Sequence, residues 1–295
     1  MVLLLPLGTA LAQTAIERSF EVAEGARVQV HNLKGSIRIE SVAGSTLRLS
    51  GELGDRAELK VDQGTRSLSL RIDYPSSGWG WGRSGGGGDT HLRIEIPGGL
   101  EIAVSAVSAD IEVEGVAGPR LELESVSGRV QARAFEVARL QASTVSGSLE
   151  ANGRADRVEL ESVSGSVSYR GSASEQIKAE AVSGAVDVGL EDSAPREIRL
   201  ETVSGSVRFA GLPAPDGLLQ AETLSGRLRI ELDPATRGEL QVSTFSGRIQ
   251  SDVGEVERPR HGPGASLRTR LGDGEGGTRI QLESFSGSVE IRSGR

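Results

Sequence analysis

Apolar residues along this chain fall at fixed offsets from a Ser-Gly pair that recurs every 18 to 21 residues, from Ser127-Gly128 through Ser146-Gly147, Ser164-Gly165, Ser183-Gly184, Ser204-Gly205 and Ser225-Gly226 to Ser246-Gly247. An eighth pair, Ser286-Gly287, follows a longer gap. Seven residues before the glycine stand Leu121, Leu140, Val158, Ile177, Ile198, Leu219, Leu240 and Ile280, and five before it Leu123, Ala142, Leu160, Ala179, Leu200, Ala221, Val242 and Leu282. Two before it come Val126, Val145, Val163, Val182, Val203, Leu224, Phe245 and Phe285; two after it come Val130, Leu149, Val167, Val186, Val207, Leu228, Ile249 and Val289. Polar residues fill the positions between. Period-two alternation within each short run predicts strands with one buried face. The third and second columns lie three residues apart, so both point inward only if the chain turns a corner between them, with the glycine expected to supply backbone freedom there. Each unit therefore reads as strand, Val-Ser-Gly corner, strand and a loop of variable length.

A fixed period near 20 residues marks a stacked repeat whose units bury their apolar faces against one another. Two degenerate copies extend the series: Ile102 to Val113, with Ala109 replacing the glycine, and Val28 to Ile39, with Gly35 at the corner and Lys34 in place of the serine. The predicted fold is all-β, a single-stranded parallel β-solenoid (β-helix) of about ten 18–21-residue rungs, with a less regular N-terminal β region. Ordering a rung of about 20 residues costs more than its four or five aliphatic side chains return, so a rung is stable only between neighbours. The regular solenoid is expected over 101–295, with an inserted loop at 252–277, after an N-terminal region at 13–100 that starts or caps the stack. Strand-like runs continue in that region at Thr46–Leu49, Ser67–Ile72 and Leu92–Ile96, around a Gly/Trp loop at 76–90.

Composition narrows the picture. Of 295 residues 37% are hydrophobic but only 3% aromatic, and 40 are glycine, which fits a ladder core of small aliphatics joined by corners. Residues 1–12 form a short apolar run ending Ala10-Leu11-Ala12, the small-x-small pattern of a signal peptide, without its basic start; a start codon placed too late would explain that gap, and a buried first strand is the alternative. No later run approaches about 18 apolar residues, so no transmembrane segment is expected in the mature chain. Cysteine is absent, which leaves neither a disulfide framework nor a lipoprotein anchor. Export to periplasm, cell surface or exterior is expected. A net charge of −8 argues against nucleic acid as partner.

The Gly35-Ser36-Ile37-Arg38-Ile39 unit, the Ile94-Glu95-Ile96-Pro97 run and the serial Val-Ser-Gly-Ser-Val rungs, behind an export signal, resemble the DUF4097 family. The resemblance covers essentially the whole mature chain. It implies a bacterial envelope β-repeat protein of the kind labelled adhesin. It carries no catalytic residues.

Four residues before the glycine stand Glu124, Ser143, Glu161, Glu180, Glu201, Glu222, Ser243 and Glu283, predicted to face outward. In register about 4.8 Å apart, adjacent carboxylates repel by about 1 kcal/mol in water. Lys178 and Arg199 are placed to relieve only the middle of this stripe. The glutamates are candidates for binding cations, calcium above all, or a basic partner surface; the alternative is a solvated face that keeps the rod soluble. No other cofactor is expected. Trp79 and Trp81 are candidate contacts for a glycan or a membrane, or else pack on the solenoid side. The serine column is expected to order the corners by local hydrogen bonds. His31, His91 and His261 lack metal-ligand spacing, and the charges are spread periodically, where a polysaccharide-active β-helix enzyme needs a localised cluster. The sequence reads as an exported, non-catalytic envelope module, adhesin-like or structural, contacting envelope glycan or protein. The alternative is an envelope-stress sensor presenting the rod to a membrane partner.

Overall fold

The computed structural model describes residues 14–74, 88–260, 263–273 and 276–293. Residues 1–12, expected from the sequence to be a signal peptide, and Trp79, Trp81 and His261 lie outside the described residues. The described chain is all-β. Its N-terminal part holds β1 (Thr14–Glu21), β2 (Arg27–Ser41), β3 (Thr46–Leu53), β4 (Glu58–Gln63), β5 (Ser67–Asp73) and β6 (Thr90–Ile96). The trunk consists of β7 (Glu101–Glu114), β8 (Ala117–Ser125), β9 (Val130–Thr144), β10 (Leu149–Ser162), β11 (Val167–Ser183), β12 (Val186–Leu190), β13 (Glu197–Gly211) and β14 (Leu218–Leu232). The end is formed by β15 (Gly238–Thr244), β16 (Arg248–Ser251), β17 (Ala265–Leu271) and β18 (Thr278–Ser293). All belong to one 18-stranded, mostly parallel sheet of β-solenoid-like repeats.

Register follows the sequence columns. Across β13 and β14, Ile198 pairs with Leu219, Leu200 with Ala221 and Val207 with Leu228, and the same columns continue into β18 as Ile280, Leu282 and Val289. The columns seven before, five before and two after each glycine are buried throughout. A further ladder four residues after the glycine, Ala132, Ala151, Tyr169, Val188, Phe209, Ile230 and Ile291, completes the core. Tyr169 is the one polar aromatic in it; its hydroxyl donates to the Ser172 carbonyl at 2.7 Å, and burial holds its pKa above the usual tyrosine value.

The column two before the glycine does not point inward. Its members, extended by Leu33 and Val107, are each 43–55% exposed. Strand alternation runs unbroken instead, and the residue three before the glycine turns in: Ser125, Thr144, Ser162, Ala181, Thr202, Thr223, Thr244 and Ser284 are buried. In three rungs the hydroxyl there bonds the corner, while those of Thr223, Thr244 and Ser284 are buried without a partner among the described residues. Ser125, Thr144 and Ser162 accept from the amides of Gly128, Gly147 and Gly165 at 2.9, 3.0 and 2.9 Å. In these three rungs this hydroxyl, not that of the Ser-Gly serine, orders the turn.

The corner glycines are also needed for a different reason than expected. None of the eight has a positive φ. Each lies against the rung beneath: a Cβ on Gly226 would stand 1.6 Å from the Gly205 carbonyl oxygen, one on Gly165 1.7 Å from that of Gly147 and one on Gly287 1.7 Å from that of Gly226.

Stack order departs from chain order at both ends. β14 does not pair with β15; β18 inserts between them, parallel to β14 on one side and to β15 and β16 on the other. β17, within the 252–277 insertion, covers β15 antiparallel. At the other end β2 lies between β7 and the pair β5 and β6. Antiparallel strands then cover that end: β4 on β5, β3 on β6 and β1 on β3. Reversed strands break the parallel template that an open end would offer another chain.

The glycine contact makes a sharp prediction. Gly226→Ala should destabilise the chain by about 3 kcal/mol or more in chemical denaturation, because backbone must move to admit the methyl. Gly189→Ala, whose Cβ would meet nothing nearer than Arg170 Cγ at 3.9 Å, should stay within about 0.5 kcal/mol of the parent.

Candidate functional site

The outward faces of the strands just before the corners form two parallel rows. The first is acidic. Register places His31, Ser105, Glu124, Ser143 and Glu161 in line, then Glu180, Glu201, Glu222, Glu283 and finally Ser243. Glu161, Glu180, Glu201, Glu222 and Glu283 are therefore consecutive. The second row is apolar and runs Leu33, Val107, Val126, Val145, Val163, Val182, Val203, Leu224, Phe285, Phe245. Backbone bonds hold it in line: Ser127, Ser146, Ser164 and Ser183 each donate an amide hydrogen at 2.8 Å to the carbonyl of the apolar residue one rung below. It ends in a stacked pair, Phe245 on Phe285, with ring centroids 4.9 Å apart and planes 9° from parallel.

Ten of the eleven large hydrophobic side chains exposed among the described residues belong to this row; the other is Val61. Between the rows lies an open groove of about 790 Å³, floored by the buried hydroxyl column and walled by the glutamates on one side and the apolar row on the other.

Among the five consecutive glutamates, salt bridges form at one end only. Lys178 Nζ lies 3.0 Å from Glu180, 3.2 Å from Glu161 and 3.7 Å from Glu159, and these bonds, that to Glu180 foremost, raise its pKa. Arg199 turns to Glu197 at 2.7 Å. Among the described residues, Glu201, Glu222 and Glu283 have no ion-pair partner; Glu222 accepts from Gln220 at 2.6 Å. Burial, reinforced by the charges of Glu180 and Glu222, pushes the Glu201 carboxyl above the usual range. No group of three or more acidic or histidine side chains among the described residues is disposed to hold a metal ion.

His31 and His91 sit at the N-terminal end, each hydrogen-bonded to a serine: His31 Nδ1 to Ser105 Oγ at 2.5 Å and His91 Nδ1 to Ser36 Oγ at 2.8 Å. Burial and nearby Arg71 lower the His31 pKa. Neither ring is hydrogen-bonded to a carboxylate among the described residues.

The acidic row was visible in the sequence; its apolar companion was visible as a column but assigned to the core. The signal that could have separated them is the period-two alternation itself, which carries the inward phase from seven and five before the glycine to the residue three before it and sends the residue two before it outward.

The family model of Toastrack DUF4097 matches residues 28–292. The chain belongs to this family. Solved structures similar to this Toastrack chain include a "putative adhesin" from Bacteroides fragilis (12% identity, 96% of this chain and 98% of that one, TM-score 0.41). Others are a "putative adhesin" from Parabacteroides merdae (13%, 94% and 95%, TM-score 0.42) and a "putative lipid binding protein" from Parabacteroides distasonis (13%, 95% and 97%, TM-score 0.42). No curated protein matches it. No helix among the described residues is long and apolar enough to cross a membrane.

A raised Glu201 pKa means that the folded state binds this proton more tightly than the unfolded chain does. Its ionisation costs stability above the folded pKa, and the cost fades as pH falls toward the unfolded value. Glu201→Gln should therefore raise the thermal midpoint at pH 7 by about 1–2 °C, with the gain shrinking near pH 4, measured by circular dichroism melts.

Proposed function

We propose that this Toastrack chain is a non-catalytic, exported binding module of the bacterial envelope, adhesin-like in action, whose binding face is the groove along the corners. The observation that carries the reading is the confinement to one row of ten of the eleven large hydrophobic side chains exposed among the described residues. Solitary exposed hydrophobics need no explanation, but a continuous row of them bounded by charge marks an interaction surface. The chemistry is spread evenly along the rungs, which suits a ligand held at many equivalent points and offers no single place where a bond would be made or broken. The acidic wall adds selectivity, because it repels anionic surfaces and attracts cationic ones.

Labelled chain incubated with isolated bacterial envelope fractions should be retained. The double variant Val182→Arg, Val203→Arg, with unchanged circular dichroism, should be retained about fivefold less or weaker. Equal retention of the two would remove the groove from the binding role.

A further inference from the structure

The two walls of the groove specify a ligand class, and we propose that the groove takes an extended cationic polypeptide segment in which basic and aliphatic side chains alternate. This rests on the groove being the binding face. The five consecutive glutamates, Glu161 to Glu283, span about 20 Å at the spacing of paired strands, and three of them lack a cation of their own. A ligand that neutralises them without touching the apolar row would leave Val163, Val182, Val203, Leu224 and Phe285 in water, as small inorganic cations do. An anionic lipid surface or an anionic glycan would cover the apolar row but bring negative charge against the glutamates. A neutral glycan finds no hydrogen-bond donor on an aliphatic wall. A polypeptide of alternating basic and aliphatic residues satisfies both walls at once.

Geometry selects the extended form. The walls are side chains two residues apart on each strand, so the rows run about 6.6 Å from one another. An extended segment sends successive side chains to opposite sides, which matches one acidic and one apolar row. At about 3.3 Å per residue, about six residues span the five glutamates. A second copy of this chain fits less well, since each copy would bring its own acidic row and a net charge of −8.

The test titrates the full chain by fluorescence anisotropy with labelled synthetic peptides: an alternating Lys-Leu peptide of about eight residues, its Lys-Ser counterpart and its Glu-Leu counterpart. The Lys-Leu peptide should bind with micromolar affinity, at least about tenfold tighter than Lys-Ser, and Glu-Leu should not bind. Affinity should rise with peptide length up to about six residues and then level off, and should fall about tenfold between roughly 50 and 500 mM salt. The triple variant Glu180→Gln, Glu201→Gln, Glu222→Gln and the double variant Val182→Ser, Val203→Ser should each weaken binding about tenfold, while Glu112→Gln with Glu239→Gln, away from the groove, leaves it unchanged. Both groove variants replace exposed or part-exposed side chains, so folding is checked by their melting curves.

Equal binding of Lys-Leu and Lys-Ser peptides would overturn the proposal, leaving charge alone. Full affinity in the groove variants would also overturn it. Absence of peptide binding, with envelope retention still lost on Val182→Arg, Val203→Arg, would overturn the ligand class while keeping the groove as binding face. In that case neutral phosphatidylcholine vesicles test for lipid, and sedimentation of parent against Val203→Arg tests for a second copy.

Discussion

Everything in this molecule depends on how closely one rung can approach the next at the corner. Strand pairing sets rungs about 4.8 Å apart, and in the flat parts of a sheet any side chain tolerates that spacing because it projects sideways. At the corner the Cα–Cβ direction swings onto the stacking axis, where the next carbonyl oxygen already stands. At the eight Ser-Gly corners only hydrogen fits; Ala109, at the corner of β7, is the exception and still pairs in register with Gly35. The glycine column thus lets parallel register pass through the bend in those rungs, and with register intact each sequence column becomes a physical line along the stack.

Those lines turn composition into long-range structure. A single aliphatic residue per rung becomes a continuous core ladder, and glutamates at the same position of successive rungs become a line of like charge in which Glu201 is held above the usual carboxylate range. The same stacking that makes Leu, Val and Phe side chains cover one another's flanks in the outer row leaves their tips in water. The groove between the rows has no counterpart in any one rung. It exists only in the stack, which is why its ligand is expected to be elongated along the same axis.

Most of the fold was legible from spacing alone, because three of the four apolar columns are buried as period-two alternation requires. The fourth was misjudged through equating polarity with exposure. Val182 looks like a core residue and Ala181, Thr202 or Thr223 like incidental neighbours, yet the hydroxyl-sized positions are the ones turned inward, where Ser125, Thr144 and Ser162 bond the corner amides. Unbroken alternation across the run would have given the right answer had a sharp bend not been placed one step early. The acidic half of the candidate site was readable, since charge at an outward position needs no tertiary information. Its partner row was not, and neither was the stack order at the ends: nothing in the columns of β18 distinguishes a strand that follows β16 from one that slides in between β14 and β15.

That interleaving gives the C-terminal strand a role akin to a keystone. Without β18, β14 would present a bare parallel edge and β15 with β16 would have nothing to sit on. Arrival of one strand closes both edges at once. Presence of one strand is thereby converted into closure of the sheet: a chain lacking β18 advertises exposed edges to proteases and to other strands, whereas a chain containing it hides them.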